Sequence, residues 1–306
     1  MHFAAILLQE ITAEGLRGMT LKNLWLHLAS ESSGFPLLID DHTKQFIWRI
    51  LISMKSLSFH ANPTVHEYLM PYDRRTWLVT TDSGMFYDIP PDFPPLKFHP
   101  TSDPMEPGSS MFYSTRVDVT EQIRSNNHLH LLENVVSQWG DCLVMVASRQ
   151  ERHNFLLGNI CNASELSATC YMMLEEIVRH RYNGLPTTNF DGLGHCGLTP
   201  STIWYARQKL EKLGLLTSQP YMSKYKTHTM STGVLLHHWR FHRHFPFPNA
   251  VMLQKLVDLL HESPTKSHTL NYLRHVSSYT FSCHLVDLVS LELHVVSDCY
   301  PPLYLR

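Results

Sequence analysis

Phe3, Leu7 and Ile11, with Ala4 and Leu8 alongside, recur at helical spacing and predict a short helix that ends at Gly15. Thr20 stands where a second helix would be capped, with Leu21, Leu24, Trp25 and Leu28 facing inward, and Phe46, Ile47, Ile50 and Leu51 mark a third. Extended pieces are expected at 57–60, 76–81 and 86–89, the last two separated by Asp82, Ser83 and Gly84, a suitable hairpin turn. From Pro90 to Pro107 seven prolines leave too few backbone donors for a sheet and forbid a helix, so this stretch reads as a linker. The apolar run that follows Asp141 as far as Ala147 predicts a buried strand.

The next group of elements has the clearest pattern. Ser164 is the expected cap of a helix whose inward positions are Leu166, Cys170, Met173, Leu174, Ile177 and Val178, with Arg179 and Arg181 in the last turn and Asn183 and Gly184 ending it. A weak helix is expected from Thr187 or Thr188, undermined by Gly192 and Gly194. A third follows, with Thr199 as cap, Pro200 at the first position where its missing N–H costs nothing, and Gly214 closing it. Strands at 215–219 and 234–241 flank a polar, basic loop. Three helices and a two-stranded ribbon are the winged variant of the helix-turn-helix. The expected fold class is therefore α+β, mainly α, with tandem winged-helix domains joined by a Pro-rich linker. Its parts are a first winged-helix-like domain at 1–89, the linker at 90–134, a second winged helix with its preceding strand at 135–243, and the start of a further helical domain at 244–306. In that last part Met252, Leu253, Leu256, Leu259 and Leu260 share a face, and the pattern fades after His275.

On a 100° wheel the helix from Thr199 to Leu213 places Ile203, Ala206, Leu210 and Leu213 on one side, and Ser201, Trp204, Tyr205, Gln208 and Lys212 on the other. One side is core and the other is free to dock. If such a helix enters a major groove, Gln208 suits adenine and Lys212 suits guanine or a phosphate. Tyr205 suits a phosphate or sugar, and Arg207 and Lys209 at the flanks suit backbone contacts. Lys224 and Lys226, at the tip of the ribbon, reach an adjacent groove or phosphate. The overall formal charge of −2 does not announce a nucleic-acid binder. Between Thr199 and Arg243, however, seven Lys or Arg stand against one acid, Glu211.

Other chemistry is poorly supported. His237, His238, His242 and His244 crowd together, yet the first two point to opposite faces of a strand and no carboxylate or Cys stands nearby, so they read as structural or surface histidines and no metal is expected. His261 and Glu262 lack the second His of HExxH, and no Walker, nucleophile-elbow or dinucleotide motif occurs, so neither an enzyme nor a cofactor is expected. Six scattered cysteines without a CxxC pair read as reduced packing residues. Nothing approaches the roughly 18 consecutive apolar residues of a membrane span, and the start lacks a signal-peptide layout, which predicts an intracellular protein with no membrane partner.

Several stretches in order carry a family resemblance: 14–25, 45–48, Trp139 and Gly140 leading into 143–148, Tyr205 to Arg207, Lys212 to Thr217, Thr232 and Gly233, and Arg240 to His242. Together they resemble the B-block-binding subunits of transcription factor IIIC, over about residues 3 to 262. That resemblance implies an array of winged helices in a nuclear assembly. It implies promoter DNA (the B box of transfer-RNA genes), other subunits of the factor and the RNA polymerase III initiation machinery as partners. It lays the family's B-block domain on about 164–243, so Tyr205, Arg207, Gln208, Lys209 and Lys212 inherit the DNA-facing role. The glycine-rich second helix, the polar wing and the carboxyl end after His275 depart from the family pattern. The alternative is a protein-binding scaffold within the same complex, a role that suits the first domain, whose third helix (Lys44, Gln45, Arg49) is sparsely charged and whose Trp25 and Trp48 anchor packing.

Overall fold

The structure, a computed structural model, describes residues 3–30, 34–65, 73–80, 86–89, 96–103, 105–160, 166–188, 192–224 and 230–245. Met1–Leu78 and Asp88–His244 form one compact unit, and Val79–Tyr87 with Phe245–Arg306 form a second. Apart from Phe245, whose ring is buried, the described residues of the second unit are those of two short strands. The helix expected from Asn249 and the change of pattern after His275 lie outside the described residues.

The first unit opens with α1 (Phe3–Ala13), a single 3-10 turn at Gly15–Arg17, β1 (Met19–Thr20), α2 (Leu21–Leu28), α3 (Asp41–Ser53) and β2 (Leu57–Ala61). The capping chemistry is local and legible. Thr20 Oγ1 accepts from the Asn23 N–H at 3.2 Å to start α2, and Asp40 Oδ1 accepts from the Thr43 N–H at 2.7 Å to start α3. Leu7, Ile11, Leu24, Trp48 and Leu51 are fully or almost fully buried in a shared core. Next come α4 (Arg74–Trp77), β3 (Leu78–Thr80), β4 (Phe86–Asp88), β5 (Val117–Asp118), α5 (Thr120–Ser125), α6 (Leu132–Trp139) and β6 (Leu143–Ala147). Residues Thr76 and Trp77, expected to be extended, lie in the helical turn of α4.

The strand expected to lead the second domain belongs to the first. β6 pairs antiparallel with β1 (Met19↔Met145) and with β2 (Phe59↔Met145), so it fills the centre of the sheet order β1–β6–β2–β5. All five of its residues are buried, as an unbroken apolar run requires when both faces are covered. β2 and β6 are thus two strands of one hairpin, and the whole stretch between them is an insertion. Part of the segment expected as linker, 90–134, is structured for the same reason. Val119, Ile123 and Leu129 project from it into the first core, where their burial stabilises what the proline-rich stretch before them cannot.

After β6, α7 (Arg149–Leu157) carries the chain to α8 (Ala168–Arg179), β7 (Leu185–Pro186), α9 (Pro200–Lys212), β8 (Leu216–Lys224) and β9 (Met230–His238). Helix α8 is capped by Ser167, whose Oγ accepts from the Cys170 N–H at 3.3 Å, and not by Ser164, which lies outside the described residues. The weak helix expected from Thr187 is a 3-10 turn at Leu193–His195, consistent with the helix-weakening glycines around it. β8 and β9 pair over nine residues each, from Leu216↔His238 to Lys224↔Met230, and β7 pairs with β9 through Leu185↔Leu236.

The two halves repeat one plan. In each, a helix ends in a 3-10 turn and a glycine, a two-residue strand follows, and that strand pairs with the later strand of a hairpin: β1–β6–β2 in the first, β7–β9–β8 in the second. Gly18 (φ +80°) and Gly184 (φ +66°) occupy equivalent places. A Cβ on Gly18 would lie 2.8 Å from Val146 Cγ2, and one on Gly184 2.6 Å from His237 Nε2, so both positions require glycine for close approach as well as for φ.

A charged cluster joins the halves. Arg181 donates to Glu10 Oε2 at 3.0 Å and Glu14 Oε1 at 2.9 Å, and Arg179 donates to the Glu14 carbonyl at 3.0 Å and pairs with Glu176. Arg17 reaches Glu176 at 3.6 Å. Glu175 accepts backbone N–H bonds from Leu16 at 2.7 Å and from Ser109 of the insertion at 3.0 Å. Burial alone would raise the Glu176 carboxyl, but Arg179 and Arg17 outweigh it and hold it down to about 2. Burial dominates at Glu175, whose carboxyl is pushed up. Arg181 sits at φ +46°, the one non-glycine residue with positive φ among those described, a conformation that costs roughly 1–3 kcal/mol. Replacing Arg179 with Met would leave Glu176 buried without its main counter-charge and take a second one from Glu14, and the expected loss is about 3–5 kcal/mol in urea unfolding. An unchanged midpoint would mean that the cluster does not bind the halves together.

Candidate nucleic-acid interface

Helix α9 is built to show one face. Thr199 Oγ1 accepts from the Thr202 N–H at 3.2 Å and Pro200 occupies the first position, an arrangement typically worth about 1 kcal/mol over an uncapped start. Ile203, Ala206 and Leu210 are buried against a core that includes Met173, Leu174 and Ile177 of α8. Ser201, Trp204, Tyr205, Gln208 and Lys212 are exposed, the stripe expected from the wheel. Trp204 and Tyr205 are 53% and 69% exposed, and their rings stand edge to face at 5.1 Å.

The remaining candidates divide. Lys209 is exposed at the flank of the stripe. Arg207 is half-buried and already engaged: its Nε donates to Glu211 Oε1 at 2.8 Å, and its Nη2 reaches Ser218 Oγ of β8 at 3.4 Å. Ser201 Oγ lies 2.9 Å from Thr199 Oγ1, close to the helix start. Lys224 ends β8 and is half-buried, and Lys226 lies outside the described residues. Of the other cations counted in this segment, Arg240 lies over the Trp239 ring at 4.6 Å and donates to the Phe155 carbonyl at 3.1 Å. Arg243 lies over the Tyr182 ring at 4.8 Å. The basic excess is therefore partly engaged in packing, while Lys212 stands on the exposed stripe of α9 with Lys209 exposed at its flank.

One support for the ribbon has no sequence signal. Arg74, in the insertion, is buried; it pairs with Asp88, donates to Tyr221 Oη at 3.1 Å and to the Asn183 carbonyl at 2.6 Å, and Tyr221 in turn donates to Asp88 Oδ2 at 3.0 Å. Tyr221 is a mid-strand residue of β8. Nothing in the local pattern around Arg74 announces a partner so far along the chain.

Of the clustered histidines, His237 and His238 are buried and structural, and His242 and His244 are exposed. His238 Nε2 lies 2.9 Å from the Leu156 carbonyl and His237 Nε2 3.3 Å from the Tyr182 carbonyl, so each donates from a buried ring. Among the described residues no group of three or more His, Cys, Asp or Glu is placed to hold a metal ion, and no helix is long and apolar enough to cross a membrane. Cys142, Cys170 and Cys196 are free thiols.

Residues 2–77 match the family described as "General transcription factor 3C polypeptide 1, winged-helix domain", and residues 167–244 match "B-block binding subunit of TFIIIC". The chain resembles the large B-block-binding subunit of transcription factor IIIC. General transcription factor 3C polypeptide 1 of Rattus norvegicus and of Mus musculus are each 28% identical over 323 aligned positions, and that of Homo sapiens is 27% identical over 324. Each alignment covers 96% of this chain, and the chain spans 15% of the length of each relative. With 96% of the chain covered, the alignments extend past His275. The B-block match begins at Ser167, the cap of α8, and takes in the whole of α9 and its ribbon.

Burial holds the His237 imidazole down to about 3 and that of His238 to about 4, with Arg74, His242 and Arg243 adding at His237 and Arg240 at His238. In the unfolded chain both protonate near the ordinary value of about 6.5. Protons therefore bind the unfolded state first, and stability is expected to fall as pH drops from about 6.5 towards 4. Urea midpoints measured at pH 7 and pH 5 check this, and a higher midpoint at pH 5 contradicts it.

Proposed function

We propose that this chain is a DNA-binding segment of transcription factor IIIC that recognises the internal B-box promoter of transfer-RNA genes and supports RNA polymerase III initiation in the nucleus. In this reading its two halves are tandem winged helices, a view supported by their shared strand order. The reading is carried by the exposed stripe of α9, with Gln208 and Lys212 on it and Lys209 beside it, inside the stretch that matches the B-block family. Gln208 pairs with an adenine edge, Lys212 with guanine or a phosphate, and Lys209 with the backbone. Ser201, Tyr205, Arg207, Lys224 and Lys226 complete the contact set, Arg207 through whatever freedom its pairing with Glu211 leaves. Other subunits of the factor and the polymerase III machinery bind elsewhere.

The first domain has a different part. The insertion lies against its α3: Gln45 Nε2 donates to the His130 carbonyl at 2.8 Å, its Oε1 accepts from the Leu132 N–H at 2.9 Å, and Trp48 Nε1 donates to the Leu129 carbonyl at 3.1 Å. A helix engaged in this way has less surface free for a groove, which favours a scaffold role for this domain beside the DNA-reading role of α9.

The double substitution Lys209→Ala with Lys212→Ala tests the reading. Binding to a B-box duplex is expected to weaken, and the slope of log affinity against log salt to shrink by about 0.9 for each phosphate no longer neutralised. An unchanged slope would place DNA binding elsewhere and leave α9 as a protein-docking helix.

A further inference from the structure

We propose that Trp204 and Tyr205 form a reader for the C5-methyl group of thymine, so that α9 selects sites by their thymines as well as by the polar contacts of Gln208 and Lys212. This inference rests on the proposed docking of α9 in a major groove. Trp204 falls outside the contact set expected from charge and hydrogen-bonding capacity.

The argument begins with an anomaly of burial. Helix α9 has a well-filled inner face, with Ile203 at 7% and Leu210 at 0% exposure, yet two of its largest side chains stand on the outer face at 53% and 69%. They are adjacent on the helix, and their rings meet at 80° with centroids 5.1 Å apart, which makes an apolar corner and not two separate projections. The corner lies in the first half of Pro200–Lys212, and Lys209 and Lys212 occupy the last turn. When a recognition helix enters a major groove its amino-terminal half approaches the base edges. Cations in the last turn then lie toward the phosphates. The surroundings of the corner favour a polyanion over an apolar protein surface, because the nearest exposed charges on the helix are these two lysines.

The major-groove edges of the four base pairs are made of hydrogen-bond donors and acceptors, with one apolar exception, the thymine methyl. Indole and phenol faces offer little to the polar edges and bury a methyl well. A corner of two rings encloses such a group on two sides, so removing the methyl forfeits the burial while every Watson–Crick and phosphate contact persists.

Deoxyuridine isolates that atom group. The full chain is titrated by fluorescence anisotropy against two duplexes of the same transfer-RNA gene B-box sequence, one with thymine and one with deoxyuridine at every thymine position. The native chain is expected to bind the deoxyuridine duplex more weakly, by about four-fold for each methyl buried. Trp204→Ala, an exposed substitution whose thermal melt is expected to match the native one, should bind both duplexes alike, at the weaker level. Lys212→Ala should retain the discrimination while its salt dependence decreases. Equal affinity of the native chain for both duplexes overturns the methyl reader and leaves DNA docking standing. A penalty that persists undiminished in both Trp204→Ala and Tyr205→Ala also overturns it, assigning the effect to the duplex. Binding of neither duplex defeats the docking of α9 itself, and the inference with it.

Discussion

A buried guanidinium survives only beside a carboxylate, and the arrangement of this protein depends on two of them. Arg179 and Arg181 extend from the end of α8 and meet Glu10 of α1 and Glu14 just after it, while Glu175 and Glu176 reach back toward Leu16 and Arg17. Neither half could bury these groups alone, because an unpaired charge taken out of water is costly. Hydrophobic contact holds each half together without direction; the ion pairs fix how the halves meet, because carboxylate and guanidinium geometry tolerates little sliding. Stabilisation by such a cluster is modest against an apolar alternative, and its stronger consequence is orientation. The left-handed backbone of Arg181 fits this view, since its strain is offset by three hydrogen bonds to α1 and the residue that follows it.

Orientation matters because α9 packs on α8. The face that carries Gln208 and Lys212 is therefore positioned, through α8, by the charges at its far end. The insertion adds a second brace, with Ser109 on Glu175 and Arg74 on Tyr221, and through Tyr221 on the ribbon beside α9. A helix docked in a groove, as proposed for α9, needs this rigidity, since a displacement on the order of an ångström is enough to lose a hydrogen bond to a base edge.

Local signals in the sequence translate directly into structure. Thr20 and Thr199 cap the helices expected of them, and the wheel for α9 separates Ile203, Ala206 and Leu210 from the exposed stripe. Those features depend on residues within a turn or two of one another. What is not legible depends on distance along the chain. The apolar run at 143–147 is readable as a strand, but its partners lie before residue 62, and periodicity says nothing about partners. Burial of Val119, Ile123 and Leu129 is hidden by the prolines before them. Arg207, Arg240 and Arg243 count as free cations in the sequence, and only their carboxylate and aromatic neighbours reveal that they pack.

The hairpin β2–β6 has a consequence for how the chain acquires its shape. Its two strands are the sheet's longest, yet the second is made only after the whole insertion has been synthesised. Until then the first domain consists of helices around an unfilled central slot, with β1 and β2 presenting unpaired backbone edges to whatever is near. Closure over so long a loop is slow, because its entropy must be given up before any pairing compensates for it. The family match to the first domain ends at residue 77, well before Leu143. A nascent or excised piece ending there therefore holds β1 and β2 without either of their partner strands, exposed to the edge-to-edge association that the finished sheet prevents.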